Sequence, residues 1–263
     1  MTRAVELSIT PLPAFSDNYF WLLSRAGHAV VVDPGDAAPV LLALRDRQLR
    51  LDAILVTHHH GDHVGGVEKL RADTGARVFG PRRERIAGVD VDLAEGDSVT
   101  VLDTDFIVIE VPGHTSGHIA YFTASLAPPA LFCGDTLFGC GCGRLFEGTP
   151  AQMLASLDRL AALPANTRVY CAHEYTLANI RFALVVDPAN PELQRRQHDA
   201  AALRDFGEPT LPSTIGLELR TNPFMRSDSD AVRAAAVAHA GAPAGRSRTD
   251  VFTAIRAWKN EFR

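Results

Sequence analysis

The run Leu51-Asp-Ala-Ile-Leu-Val56, followed at once by Thr57-His-His-His-Gly-Asp-His63, constrains this chain more than any other segment. A largely apolar run of this length reads as a strand buried on both faces, as in a parallel sheet. It must therefore sit deep in a fold while its end carries four imidazoles and a carboxylate within six residues. The arrangement that satisfies both is a loop at the end of a sheet strand. On extended backbone His58 and His60 point to one side and His59 to the other. Asp62 and His63 lie beyond Gly61, at a turn and helix start, where their side chains can converge on a second point. Nitrogen and oxygen donors at this spacing suit a hard-to-borderline divalent ion such as zinc. His59, facing away, is left out of the donor set.

Three further strand ends offer the same chemistry. Val111-Pro-Gly-His114 places a histidine in a glycine-lined turn, Phe132-Cys-Gly-Asp135 ends another apolar run, and Tyr170-Cys-Ala-His173 ends a third. The total, five histidines and two aspartates, exceeds what one four-coordinate ion takes and divides between two metals if one carboxylate bridges. Around these points β-rich runs alternate with helical ones. Strands are expected at 19–23, 29–32, 51–56, 77–79, 98–102, 106–111, 119–123, 130–133 and 168–171. Helices are expected from Asp36 to Arg47, over 64–74 ended by Gly75, and over 150–163 behind a Thr149 cap. Beyond about residue 174 the texture changes to helices at 176–186, 191–206, 228–240 and 249–262, with no good strand between them. The expectation is an α/β domain over 1–174 followed by a helical domain over 175–263.

Composition narrows the class. Among 263 residues, 46% hydrophobic, the formal charge is −5, which does not draw nucleic acid or anionic membrane by bulk charge. No apolar run approaches the roughly 18 residues of a membrane helix. Met1–Thr10 lacks the basic stretch and apolar block of a leader. The four cysteines, Cys133, Cys140, Cys142 and Cys171, are too few and too clustered for a secreted disulfide framework, so free thiols and a cytoplasmic location are expected. Cys133 and Cys171 read as core filler, and Cys140 and Cys142 as filler in a Gly-rich loop.

The Thr57-His-x-His-x-Asp-His63 pattern, Gly113-His-Thr-x-Gly-His118, Gly134-Asp135 and Ala172-His-Glu174 resemble the metallo-β-lactamase superfamily. Within it the chain is most similar to glyoxalase II, the hydroxyacylglutathione hydrolases. That resemblance runs through Gly134–Gly148, His173–Thr176, Thr214-Ile-Gly-x-Glu218, Asn222-Pro-Phe-Met-Arg226 and Arg256-Ala-Trp-Lys259. It implies a four-layer αββα sandwich with a C-terminal helical domain that binds glutathione. It implies two divalent metal ions, zinc first, with iron and manganese as the other candidates. His58, His60 and His114 would hold one ion, Asp62, His63 and His173 the other, and Asp135 would bridge them. The implied reaction, in methylglyoxal detoxification, is hydrolysis of S-D-lactoylglutathione to D-lactate and glutathione with a metal-bridging hydroxide. Asp62 has a lesser part in orienting that hydroxide. The implied partner is the small glutathione thioester alone, with no nucleic acid and no membrane, and monomer is the default state.

By spacing, Arg256 and Lys259 share one face of the last helix, which alone would mean only a solvated basic edge. The resemblance turns them into a grip on the glycine carboxylate of glutathione, with Arg144 and Tyr175 adding contacts. Phe146 stands where the family commonly has tyrosine; the missing hydroxyl removes a hydrogen bond worth about 0.5–1.5 kcal/mol. Asp33 reads equally as support for a ligand histidine and as a strand terminator in Asp33-Pro-Gly35. The alternative on the same fold is a single-iron persulfide dioxygenase, which shares the early histidines but lacks the C-terminal motifs. Phosphodiester cleavage is disfavoured by the charge, and a non-catalytic binding role by the intact donor set.

Overall fold

A computed structural model describes residues 6–240 and 247–262. The first five residues of the segment read above for a leader lie outside that range. By compactness the chain divides into Met1–Glu110 with Ser116–Gly134, and Val111–Thr115 with Asp135–Arg263.

The first unit carries two sheets. One runs in chain order through β1 (Ser8–Ala14), β2 (Asn18–Arg25), β3 (His28–Val32), β4 (Arg50–Leu55), β5 (Arg77–Pro81) and β6 (Val91–Leu93). Its first three strands are antiparallel and the rest pair in parallel. Parallel neighbours need crossovers, supplied by α1 (Ala37–Asp46) after β3 and by α2 (Gly61–Val64) and α3 (Val67–Thr74) after β4. Strand alternation sorts the side chains. Phe20, Leu22, Val31, Ile54 and Val78 join Val40, Leu44, Val67 and Leu70 of α1 and α3 in one core. Trp21, Leu23, Val30, Val32, Ala53 and Leu55 face the other way and are also buried. The strand before the histidines is thus covered on both sides, as its composition required.

The second sheet contributes β7 (Ser98–Val101), β8 (Thr104–Glu110), β9 (Ile119–Thr123) and β10 (Ala130–Gly134) to this unit, antiparallel in chain order. The Tyr121 hydroxyl on β9 donates to the Val56 carbonyl at 2.8 Å. The Ile119 N–H donates to the Thr57 carbonyl at 3.0 Å. Both bonds tie this sheet to the end of β4.

The second unit holds a two-stranded hairpin, β11 (Leu137–Phe138) with β12 (Gly141–Cys142), then α4 (Pro150–Ala161) and β13 (Arg168–Cys171). Helices α5 (Thr176–Val186) and α6 (Pro191–Asp205) follow, then β14 (Ser213–Thr214), α7 (Ile215–Thr221), α8 (Asp230–Ala240) and α9 (Arg248–Glu261). Thr149 caps α4 in a reciprocal box with Gln152, with Pro150 opening the first turn. Asn190 and Ser247 cap α6 and α9 through their side-chain oxygens.

The short strands β6, β11 and β12 were not anticipated, and the structure departs from expectation in three further places. β1 was not anticipated, because Pro11 and Pro13 argue against a strand; it is an edge strand, where a missing N–H is tolerated. The single helix expected over 64–74 is two, α2 and α3, broken at Gly65-Gly66, where the Gly66 N–H donates to the Pro34 carbonyl at 2.9 Å. Ser213–Thr221, read as no element, forms β14 and α7, the helix capped by Thr214.

Candidate metal centre

At the end of β4 the chain turns into α2, with His60 as its N-cap in extended conformation (φ −62°, ψ 144°). His58 is fully buried and its ring packs against those of His63 and His118, at centroid distances of 4.0 and 4.5 Å. Asp33 orients this group. Its carboxylate accepts the Thr57 N–H at 2.7 Å and the Thr57 hydroxyl at 2.8 Å, and lies 3.2 Å from His63 Nδ1. The Thr57 hydroxyl has spent its proton on Asp33. At 3.0 Å it therefore accepts from His58 Nδ1. Thr57 thus holds His58 as its Nδ1–H tautomer, with the lone pair on Nε2, while Asp33 lies beside His63 Nδ1. Of the two roles read for Asp33, the structure gives it both.

Further nitrogen and oxygen atoms lie against the Nε2 side of both rings. His58 Nε2 is 3.1 Å from His60 Nδ1, and His63 Nε2 is 3.5 Å from an Asp62 carboxylate oxygen. Asp62 is itself held by Asn18, whose amide donates to the same oxygen at 3.0 Å. Imidazole nitrogens and a carboxylate gathered this closely in a largely buried place fit a cation. The close pass of Pro34-Gly35 fixes the backbone here: a Cβ on Gly35 would lie 2.0 Å from the Asp62 carbonyl oxygen. His59 turns away, with Nδ1 2.9 Å from Glu84, whose other oxygen accepts the Gly117 N–H. It has the non-ligand role expected of it.

The second unit gathers the remaining three donors. His114 Nδ1 donates to the Arg144 carbonyl at 2.9 Å, which leaves Nε2 as the acceptor nitrogen, 3.3 Å from Asp135 Oδ2. His173 Nε2 is 3.3 Å from Asp135 Oδ1, and its ring stacks on Tyr175 at 4.7 Å with 5° between the planes. Asp135 thus stands between two imidazoles, one on each oxygen. All three residues are buried.

His114 and Asp135 also line a cavity of about 460 Å³, together with all five residues expected to contact substrate: Arg144, Phe146, Tyr175, Arg256 and Lys259. Arg256 is only 5% exposed; it donates to the Cys142 carbonyl at 2.8 Å and to Asn260 at 3.1 Å, and its guanidinium lies 5.0 Å over the Phe224 ring. Lys259 Nζ reaches the Ala178 carbonyl at 3.4 Å, with Phe182 and Phe262 each 5.5 Å away. Burial, reinforced by Arg256, Arg181 and Arg144, brings the Lys259 pKa down to about 8. Phe146 is 63% exposed, its ring 5.2 Å from that of His114. Burial raises the Cys142 thiol and pushes Cys140 up to about 12. Burial thus disfavours the thiolate form of both.

Sequence reasoning assigned nothing to Asn18, Thr57 or His118. Thr57 and His118 fall inside quoted motifs, so their place there was the available signal; Asn18 offered none.

The architecture and the donors at its strand ends define a metallo-β-lactamase fold, and the family model described as the metallo-beta-lactamase superfamily matches residues 15–173. A second model, described as the hydroxyacylglutathione hydrolase C-terminus, matches residues 174–262. The chain is 54% identical to a hydroxyacylglutathione hydrolase of Albidiferax ferrireducens and 56% identical to one of Pseudomonas putida, in each case over 97% of this chain and 100% of the relative. It therefore belongs to the hydroxyacylglutathione hydrolase, or glyoxalase II, family. Among solved structures it resembles ETHE1 from Myxococcus xanthus (TM-score 0.67, 25% identity, 96% of this chain and 91% of that one). It also resembles TTHA1623 in a di-iron-bound form (TM-score 0.57, 28% identity, 82% and 99%).

Proposed function

We propose that this chain hydrolyses S-2-hydroxyacylglutathione thioesters, S-D-lactoylglutathione first among them, to the hydroxy acid and glutathione, in methylglyoxal detoxification. In this reading His58, His60 and His114 hold one divalent ion, Asp62, His63 and His173 a second, and Asp135 bridges, with zinc the first candidate. The catalytic domain spans 1–174 and the glutathione-binding domain 175–263, and the enzyme works as a monomer in the cytoplasm. One observation carries the reading: two of the proposed metal donors, His114 and Asp135, line the same cavity as the cations Arg144, Arg256 and Lys259. A reacting carbonyl and an anionic tail can therefore be served from one pocket.

When bound, the divalent ions supply Lewis acidity, polarising a thioester carbonyl and acidifying water. The protein's own part is positioning. Thr57 and the Arg144 carbonyl hold His58 and His114 with Nε2 turned to the metal side, and Asp33 holds Thr57 and flanks His63. Asn18 restrains Asp62, which suits a carboxylate that orients the attacking water. Lys259 and Arg256 hold the carboxylate end of the peptide, and Tyr175 and Arg144 flank it. The departing glutathione thiolate has a conjugate acid of pKa near 8.5, so no general acid is required. Phe146 offers a ring face in place of a hydroxyl, which makes glutathione affinity depend more on the cations.

The test is loss of thioester absorbance with S-D-lactoylglutathione, before and after chelation, alongside metal analysis. Chelation should abolish turnover and metal return should restore it, at two ions per chain. Asp135→Ala and His60→Ala should each lose metal and rate. Full metal content and rate in either variant would overturn the donor assignment, and one iron per chain with oxygen uptake in place of thioester cleavage would overturn the reaction.

A further inference from the structure

Two sequence motifs have so far no role: Thr214-Ile-Gly-x-Glu218 and Asn222-Pro-Phe-Met-Arg226. They lie on and around α7; Thr214 caps that helix and Arg226 pairs with Asp187, while Glu218 and Asn222 are spent on one small target. Glu218, fully buried, accepts the Cys140 N–H at 2.8 Å on one oxygen and Arg196 on the other at 2.5 Å, with Ser213 donating beside it. Asn222, also fully buried, donates through its amide to the Gly141 carbonyl at 2.9 Å and to Phe138 at 3.4 Å, while its Oδ1 accepts the Phe224 N–H at 3.1 Å. From α5, Asn179 donates to the Gly139 carbonyl at 3.0 Å. Every residue of the segment 138–141 is therefore gripped by a buried side chain from the helices. Cys140 sits at its tip with φ +60°. A side chain disfavours that conformation, which persists where the surroundings hold it.

The gripped segment is the turn of the β11–β12 hairpin, and it is one wall of the cavity. Phe138 and Cys142 line that cavity, Asp135 precedes the hairpin and Arg144 follows it. The second motif reaches Arg256 as well: Phe224, fixed by Asn222, is the ring under Arg256, and Arg256 in turn donates to the Cys142 carbonyl. We propose that Glu218 and Asn222 are positioning residues for substrate, a clamp that sets the hairpin and the Arg256 guanidinium at the spacing the glutathione moiety requires. This deepens the thioester-hydrolase reading and rests on it. Arg196 matters as the cation paired with Glu218 in the buried interior. Binding to a wall already ordered costs less than binding to one that substrate must order itself, so the clamp acts on affinity.

The experiment compares metal-loaded wild type with Asn222→Ala and with Val232→Ala, a truncation in the buried face of α8 that matches a general loss of stability. Three quantities are read: KM and kcat with S-D-lactoylglutathione, the dissociation constant of glutathione by calorimetry, and the rate at which a small thiol reagent labels Cys142 in the folded protein. For Asn222→Ala, KM and the dissociation constant should rise about tenfold with kcat within about twofold. Cys142 labelling should accelerate by about tenfold as the hairpin loosens. Val232→Ala should leave all three at wild-type values. Should Asn222→Ala fail to fold, Glu218→Gln is read instead, with a rise of about threefold in the same constants. Equal constants and equal labelling in clamp variant and control would overturn the proposal. A wild type that does not bind glutathione would overturn the substrate reading, and the labelling rates would then decide the clamp by themselves.

Discussion

At the scale of single residues, the donor geometry depends on one glycine that carries no chemistry. Gly134 ends β10 at φ +46°, and a Cβ there would lie 2.3 Å from the Thr57 hydroxyl and 2.9 Å from the His118 ring. Those are the two groups that hold His58, one by hydrogen bond and one by stacking. Gly134→Ala combines left-handed strain with overpacking in a buried place, about 3 kcal/mol together. Urea unfolding should show that loss, and metal analysis should show weakened retention. The residues that offer donors are legible as a list, because histidine and aspartate at strand ends are rare and spaced. Their tautomers are not. Those depend on Asp33, 24 positions before Thr57, and on a backbone carbonyl 30 positions after His114.

At the scale of elements, the proposed role of α9 carries a pH dependence of binding. Lys259 is half-buried beside three guanidinium groups, and its pKa is down to about 8 for that reason. Because the folded value lies below the unfolded one, this group favours the folded state progressively more as pH climbs from about 8 toward the ordinary lysine range. Its effect on an anionic substrate has the opposite sign, since only the protonated amine attracts a carboxylate. KM for S-D-lactoylglutathione should therefore increase as pH passes about 8, and Lys259→Gln should raise KM at neutral pH and flatten that dependence. A pH profile of KM set against kcat checks both. Element boundaries followed local chemistry where that chemistry was complete, as in the Thr149–Gln152 capping box and the Ser247 cap. They failed where tertiary position overrides local preference. Pro11 and Pro13 sit in a strand because it lies at an edge, and Gly65-Gly66 breaks a helix because the backbone at Pro34 passes against it.

At the scale of the whole molecule, redox and metal dependence separate cleanly. All four cysteines are free and buried, and burial raises three of their thiols. Dithiothreitol should leave Tm unchanged, and a thiol reagent should label the native chain slowly and all four sites once unfolded. Chelation should lower Tm, because an ion that binds only the folded chain stabilises it; a scan with and without chelator checks this. No helix among the described residues is long and apolar enough to cross a membrane.

The sequence by itself determined the class of chemistry: the donors, the buried strand that delivers four of them, and the shared face of Arg256 and Lys259. Those follow from composition and short spacing, which strand and helix periodicity turn directly into direction. Tertiary structure alone decided what restrains them. Asn18 meets Asp62 across 44 positions and Glu218 meets Cys140 across 78. A hydrogen bond between groups so far apart in the chain leaves no periodic mark. It exists because the packing of apolar faces brings two polar groups together.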